Sequence, residues 1–179
     1  MDNSLESSKR TLWPVMHDQQ TRGKLLERAE LAAVVERARR RDATVVFTNG
    51  CFDLLHPGHV HLLQTARSFG DLLIVAINTD ASVRAIKDEG RPIYSETERA
   101  YMLGSLACVD HVVLFSEPTP IPLLNLLKPD VLVKGGHYGH EEVVGWDVVE
   151  AYGGRVERVP VLDGMSTTDT IARITGKGT

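Results

Sequence analysis

The sequence has little of what secreted, membrane-spanning or nucleic-acid-coating proteins need. Cys51 and Cys108 are its two cysteines in 179 residues, too few and too differently placed for a disulfide framework. Residues 1–12 carry no apolar run, and no stretch approaches the ~20 residues that cross a bilayer. A cytoplasmic protein with no signal peptide and no membrane partner is therefore expected. The net charge of −4 gives no reason to expect broad binding to nucleic acid. Repeats and low-complexity tracts are missing too. What remains is 42% hydrophobic and 25% charged residues, an ordinary balance for one globular domain with a proper core.

Residues 1–23 are polar and uneven, with Trp13 and Val15 the strong apolar anchors. They read as an N-terminal arm, and residues 24–179 as a single domain. Residues 24–41 have amphipathic helical spacing. Arg37, Arg39, Arg40 and Arg41 gather in the last turns, where the helix dipole favours cations. A nucleic-acid patch is the weaker account of them. Beyond this, strands over 44–48, 72–77, 111–115, 130–133 and 155–161 alternate with helices over 59–69, 81–87, about 95–106, 121–127, 141–152 and 168–174. The second strand is apolar throughout, which suits a parallel strand covered on both faces. Gly70 fits a helix C′ position, and Ser95 with Glu98 fits a capping box. The alternation predicts an α/β fold: a Rossmann-like, doubly wound, mostly parallel five-stranded sheet with helices on both faces.

The chain is organised around Thr48-Asn49-Gly50-Cys51-Phe52-Asp53-Leu54-Leu55-His56-Pro57-Gly58-His59, a strand-to-helix crossing. Pro57 suits a first helical position. Gly58 leaves the helix N-terminus bare, with backbone N–H groups free to meet an anion. His56 and His59 are spaced to sit at that same end. Two imidazoles on a helix N-terminus make a site for nucleotide phosphates. A metal site is disfavoured, since a catalytic zinc usually has three protein ligands and Cys51 has no second cysteine nearby. Open parallel sheets bind ligands at the carboxyl ends of their strands. Thr48-Asn49, Asn78-Asp80, Ser116, Lys134-Gly135-Gly136 and Ser166-Thr167-Thr168 all follow strands and would gather on that one rim. Turn chemistry alone explains any one of them, but not five together.

The His56-Pro57-Gly58-His59 motif resembles the H-x-G-H of the cytidylyltransferase-like nucleotidyltransferases. Thr48–Asp53, Asn78-Thr79-Asp80, Arg91-Pro92, Val109-Asp110, the run from Leu126 to Gly136 and Ser166-Thr167-Thr168 narrow the resemblance to the adenylyltransferases of ADP-heptose synthesis. It covers roughly residues 25–174. It implies ATP and heptose 1-phosphate as substrates, Mg²⁺ accompanying ATP, no protein-held metal, no nucleic-acid partner and a homodimer. No kinase half is present, so the free-standing form is expected.

The resemblance also implies roles. The sugar 1-phosphate would attack the α-phosphorus of ATP in line and expel pyrophosphate. His56 and His59 would donate to the phosphoryl oxygens, and Lys87 would close over the phosphates, a solvated helix-end lysine being the alternative. Thr48, Asn49, Gly50 and Phe52 would floor the nucleotide site. Lys134, Gly135 and Gly136 would meet the nucleotide, the glycines leaving room for a flat base. Ser166, Thr167 and Thr168 would hold a phosphate, as a plain helix cap or beyond it. Asp53, Asp80, Arg91 and His137 would face the sugar phosphate, with Asp53 alternatively a turn or cap residue. His137 stands where this family often has aspartate, replacing an acceptor with a group that can also donate. A cytidylyltransferase of the same fold, acting on glycerol 3-phosphate or phosphoethanolamine, is the rival reading. A non-catalytic nucleotide-binding module is another.

Overall fold

The computed structural model describes residues 23–87, 89–137, 139–160, 162 and 164–176. Apart from Gly23, the expected N-terminal arm lies outside them. Five strands form one all-parallel sheet: β1 Val45–Gly50, β2 Leu72–Asn78, β3 His111–Phe115, β4 Val131–Gly135 and β5 Arg155–Val159, in the order β3-β2-β1-β4-β5. The helices are α1 Arg28–Arg39, α2 Pro57–Arg67, α3 Asp80–Ile86, α4 Glu96–Gly104, α5 Ile121–Leu127, α6 Trp146–Ala151 and α7 Thr167–Ile174. This is the doubly wound α/β fold expected from the alternation.

The strands read as apolar without break because both faces are covered, and side-chain alternation splits them between two cores. Val45 and Phe47 of β1, Ile74 and Ala76 of β2 and Leu132 of β4 pack with Leu31 and Val35 of α1, Leu123, Leu124 and Leu127 of α5 and Val149 of α6. Val46, Leu73, Val75, Ile77, Val131 and Val133 pack on the other face with Leu63 and Ala66 of α2 and Ala100 and Leu103 of α4. Three aspartates fasten the opposite end of the sheet from the H-x-G-H motif. Asp71 accepts from the Thr44 amide at 2.9 Å, Asp110 from Leu73 at 2.7 Å and Asp130 from Val45 at 2.7 Å. Each carboxylate ties a segment that enters one strand to the start of a neighbouring strand, which fixes register.

Two expectations need correction. The first helix begins at Arg28, not residue 24. Residues 24–26 instead run along the outer edge of β3, where Val112 donates to Lys24 O at 2.7 Å and Leu26 donates to Val112 O at 3.0 Å. The open edge of β3 presents unpaired backbone groups, and residues 24–26 satisfy them. The helix expected over 141–152 is divided into a 3₁₀ turn, His140–Glu142, and α6. The division lies at Gly145, whose φ is 91° and where a Cβ would collide with Leu124 of α5. That left-handed residue lets the chain pass close to α5.

The sheet order reverses at β1: β2 and β3 extend to one side of it, β4 and β5 to the other. The crevice at such a switch point is where ligands bind in open parallel sheets. The H-x-G-H segment follows β1 directly.

Candidate active site

A cleft of about 390 Å³ opens at that place, within the size range of small-molecule sites. Asn49 and Gly50 line it from the end of β1, followed by Cys51, Phe52 and Asp53. His56, Gly58, His59 and Leu62 come from α2 and its N-cap, Lys87 from the end of α3, Arg91 from the following loop, Lys134 and Gly135 from the end of β4. Pro160, Met165, Ser166, Thr167 and Thr168 close the far wall.

The turn after β1 is built to deliver the histidines. Phe52 is buried with φ 47°, a left-handed backbone unusual for a large side chain. Its ring lies over Gly50, where a Cβ would stand 3.0 Å from Phe52 Cε2, and meets the His59 ring at 5.1 Å. His56 is the N-cap of α2, Pro57 its first residue. The two imidazoles stack, with centroids 3.8 Å apart and planes 26° apart. Gly58 lets this happen, because a Cβ there would lie 3.0 Å from the His56 ring and 3.3 Å from the Met165 carbonyl. The motif's glycine thus allows the wall before α7 to approach α2.

Both imidazoles are held neutral. Burial lowers the pKa of His59 to about 4, helped by the neighbouring His56. Burial also lowers that of His56, against the pull of Asp169 in α7. The Nδ1 atom of each ring is buried and has no partner among the described residues. Unpaired buried polar atoms are costly, and here they sit in a cleft at a helix N-terminus.

Cations surround them. Lys134 donates to Asn49 O at 3.1 Å, and burial lowers its pKa. Lys87 is the C-cap of α3 and is exposed. Ser166 caps α7, its hydroxyl accepting from the Asp169 amide at 2.9 Å, so the first turn of α7 faces the cleft across from α2. Thr167 Oγ1 lies 3.5 Å from Leu54 O and links α7 to the loop before α2.

Asp53 is the carboxylate lining the cleft, and its side chain is fully buried. It accepts from the Ile93 and Tyr94 amides, at 2.8 and 2.9 Å, and from Arg91 Nε. These bonds outweigh desolvation and hold its carboxyl below the usual range. Its shown contacts therefore anchor the loop that carries Arg91 into the cleft.

The other sequence-selected residues fall elsewhere. Thr48 is fully buried beneath the cleft and does not line it. Asp80 pairs with Arg99 at 2.8 Å. Gly136 and His137 line a neighbouring hollow with His140, Glu157 and Arg158, which shares Pro160 with the cleft.

Leu62, Pro160 and Met165 line the cleft without having been singled out from sequence, and Cys51, part of the central motif, lines it without having been given a role there. Arg99 was also missed, although it is fully buried. Its guanidinium donates to Cys51 O at 2.6 Å, Asn78 O and Asp80 Oδ1 at 2.8 Å and Tyr94 O at 3.1 Å. It joins the ends of β1 and β2 to α4. Nothing in the local pattern of α4 signals a buried arginine; the Ser95 capping box places it one turn into the helix and no more.

Stacked neutral histidines at a helix N-terminus, with lysines beside them at a sheet switch point, offer the donors and positive charge that a phosphate group needs. The chain belongs to the cytidylyltransferase-like family, whose model matches residues 47–162. It is 57% identical over 151 residues to the bifunctional protein HldE of Syntrophotalea carbinolica, covering 84% of this chain and 31% of that protein. The chain thus spans about three-tenths of the length of that relative. Among solved structures, a lipopolysaccharide core biosynthesis protein from Thermoplasma volcanium matches 67% of this chain and 97% of its own, at 27% identity and a TM-score of 0.56. Pantoate-beta-alanine ligase from Francisella tularensis shares the fold at 15% identity, with a TM-score of 0.57 over 85% of this chain and 77% of its own.

Proposed function

We propose that this chain transfers the adenylyl group of ATP to D-glycero-β-D-manno-heptose 1-phosphate, giving ADP-heptose and pyrophosphate. The observation that carries the reading is the stacked pair His56 and His59, 3.8 Å apart, in a cleft rich in hydrogen-bond donors. The likeness to HldE proteins over most of the chain and to a lipopolysaccharide core biosynthesis protein supports the sugar.

A phosphate nucleophile is already an anion at neutral pH and needs no general base. The cleft agrees: Asp53, its carboxylate among the described residues, is engaged by Arg91 and two amides. The work left to the protein is positioning and stabilising charge on the phosphoryl oxygens. His56 and His59 donate to oxygens of the reacting phosphate, Lys134 and Lys87 neutralise the polyphosphate, and the first turn of α7 offers amides and hydroxyls. Mg²⁺ would arrive with ATP and supply charge neutralisation. With Asp53 occupied, phosphate oxygens and water would complete its shell. The reaction belongs in the cytoplasm, where ATP is made, and a homodimer is the working form taken from the family resemblance.

The test is a panel of ATP and CTP against heptose 1-phosphate, glycerol 3-phosphate and phosphoethanolamine, read by pyrophosphate release with Mg²⁺. ATP with heptose 1-phosphate should be the fastest pair. Faster turnover of CTP with glycerol 3-phosphate or phosphoethanolamine would make the chain a cytidylyltransferase. No turnover with any pair would make it a binding module.

A further inference from the structure

Beside the cleft, below the end of α3, lies a second hollow of about 610 Å³ lined by Arg84, Lys87, Glu89, Gly90, Arg91 and Pro92. Lys87 and Arg91 also line the cleft, so the two spaces adjoin. Arg84 and Lys87 are three residues apart, one turn of helix, at the end of α3. Arg84 and Lys87 have no acidic partner among the described residues. Arg91 is half engaged: Nε binds Asp53, which orients the guanidinium and leaves its terminal nitrogens without a hydrogen-bond partner among the described residues. Among the described residues Glu89 is the acidic group of the lining, set against three cations.

A sugar ring needs acceptors as well as donors around its hydroxyls. This lining offers donors in excess and positive charge, which fits a compact phosphate polyanion better. We propose that the hollow is a product subsite that receives pyrophosphate as it leaves the cleft. The inference rests on the nucleotidyl-transfer reading. In that reaction the bond from the α-phosphorus to the bridging oxygen of the β-phosphate breaks, a bond from the α-phosphorus to the acceptor's phosphate oxygen forms, and the electron pair leaves with pyrophosphate. Lys87 and Arg91 border both spaces and can hold the polyanion through the passage, while Arg84 belongs to the outer space alone.

The experiment is calorimetric titration of the whole chain with Mg²⁺-pyrophosphate, with AMP and with a sugar 1-phosphate. Arg84→Gln should weaken pyrophosphate binding about tenfold, the size of one charge-assisted contact, and should change AMP binding less than about twofold. Glu89→Gln should tighten pyrophosphate slightly. Unchanged pyrophosphate binding in Arg84→Gln, or no pyrophosphate binding by the wild type, overturns the proposal. Equal weakening of AMP would show a general loss of anion attraction and overturns it too. Weakening confined to the sugar 1-phosphate would assign the hollow to the acceptor instead. If the wild type binds pyrophosphate through Arg84 but makes no ADP-heptose, the subsite stands and the choice of substrate falls.

Discussion

His59 shows how one residue's surroundings set its chemistry. Its burial, against Phe52 and beneath the His56 ring, keeps the imidazole neutral down to about pH 4. The consequence for stability has a definite sign. In the unfolded chain the imidazole takes up a proton near pH 6.5; in the folded chain it does so near 4. The unfolded state therefore binds more protons between those values. Stability from this group is fully present above about pH 6.5 and is lost as pH falls toward 4, by up to about 3 kcal/mol. His56 is shifted in the same direction. Urea unfolding at pH 7.5 and pH 4.5 should show the loss, and His59→Gln should reduce it. An identical pH dependence in both proteins would mean that His59 does not titrate this way. At this scale the sequence was informative where chemistry depends on spacing: His56, Gly58 and His59 are set by α2 itself. It was uninformative where chemistry depends on a distant partner. The roles of Asp53 and Asp80 became visible only when Arg91 and Arg99, 38 and 19 residues away, were brought to them.

Elements here are placed by side chains that reach across the sheet. Arg99 is the strongest case, since one buried guanidinium satisfies three carbonyls and a carboxylate from the ends of β1 and β2 and the starts of α3 and α4. Removing it leaves those acceptors without their donor. Arg99→Met should destabilise the protein by about 3 kcal/mol or more. Arg99→Lys should recover only part of that, because an ammonium lacks the planar fork that spans the four acceptors. Thermal and urea unfolding of the two variants would measure this; a midpoint for Arg99→Met within error of wild type would remove Arg99 from the frame of the cleft. Strand and helix identity was legible from patterning, and β3 and α5 have the bounds that patterning predicts. The misread elements failed for tertiary reasons. Residues 24–26 join the β3 edge, and Gly145 bends away from a helix because α5 passes beside it. A local pattern carries neither fact.

At the scale of the whole molecule, the cleft is lined by segments from all along the chain: the end of β1, α2, the end of α3, the Arg91 loop, the end of β4 and the start of α7. The sheet holds the first and fifth of these in register through the aspartates at its far end, while α7 is attached more lightly, through contacts such as Thr167 to Leu54. A polyphosphate bound in the cleft would bridge the helix N-termini of α2 and α7 and both lysines, so it would bind the folded state alone. Mass action then fixes the size of the effect. At a hundred times its dissociation constant a ligand adds about 2.7 kcal/mol, and for a chain of this length each kcal/mol is worth about 2–4 °C in Tm. Mg²⁺-ATP at that excess should therefore raise Tm by about 5–10 °C. If ATP is the nucleotide, as proposed, CTP at equal concentration should raise it less. The rise should shrink in Lys134→Gln, which removes a buried cation from the cleft without touching either histidine. A thermal scan with no shift from Mg²⁺-ATP, or a shift that survives intact in Lys134→Gln, would place the nucleotide somewhere other than this cleft.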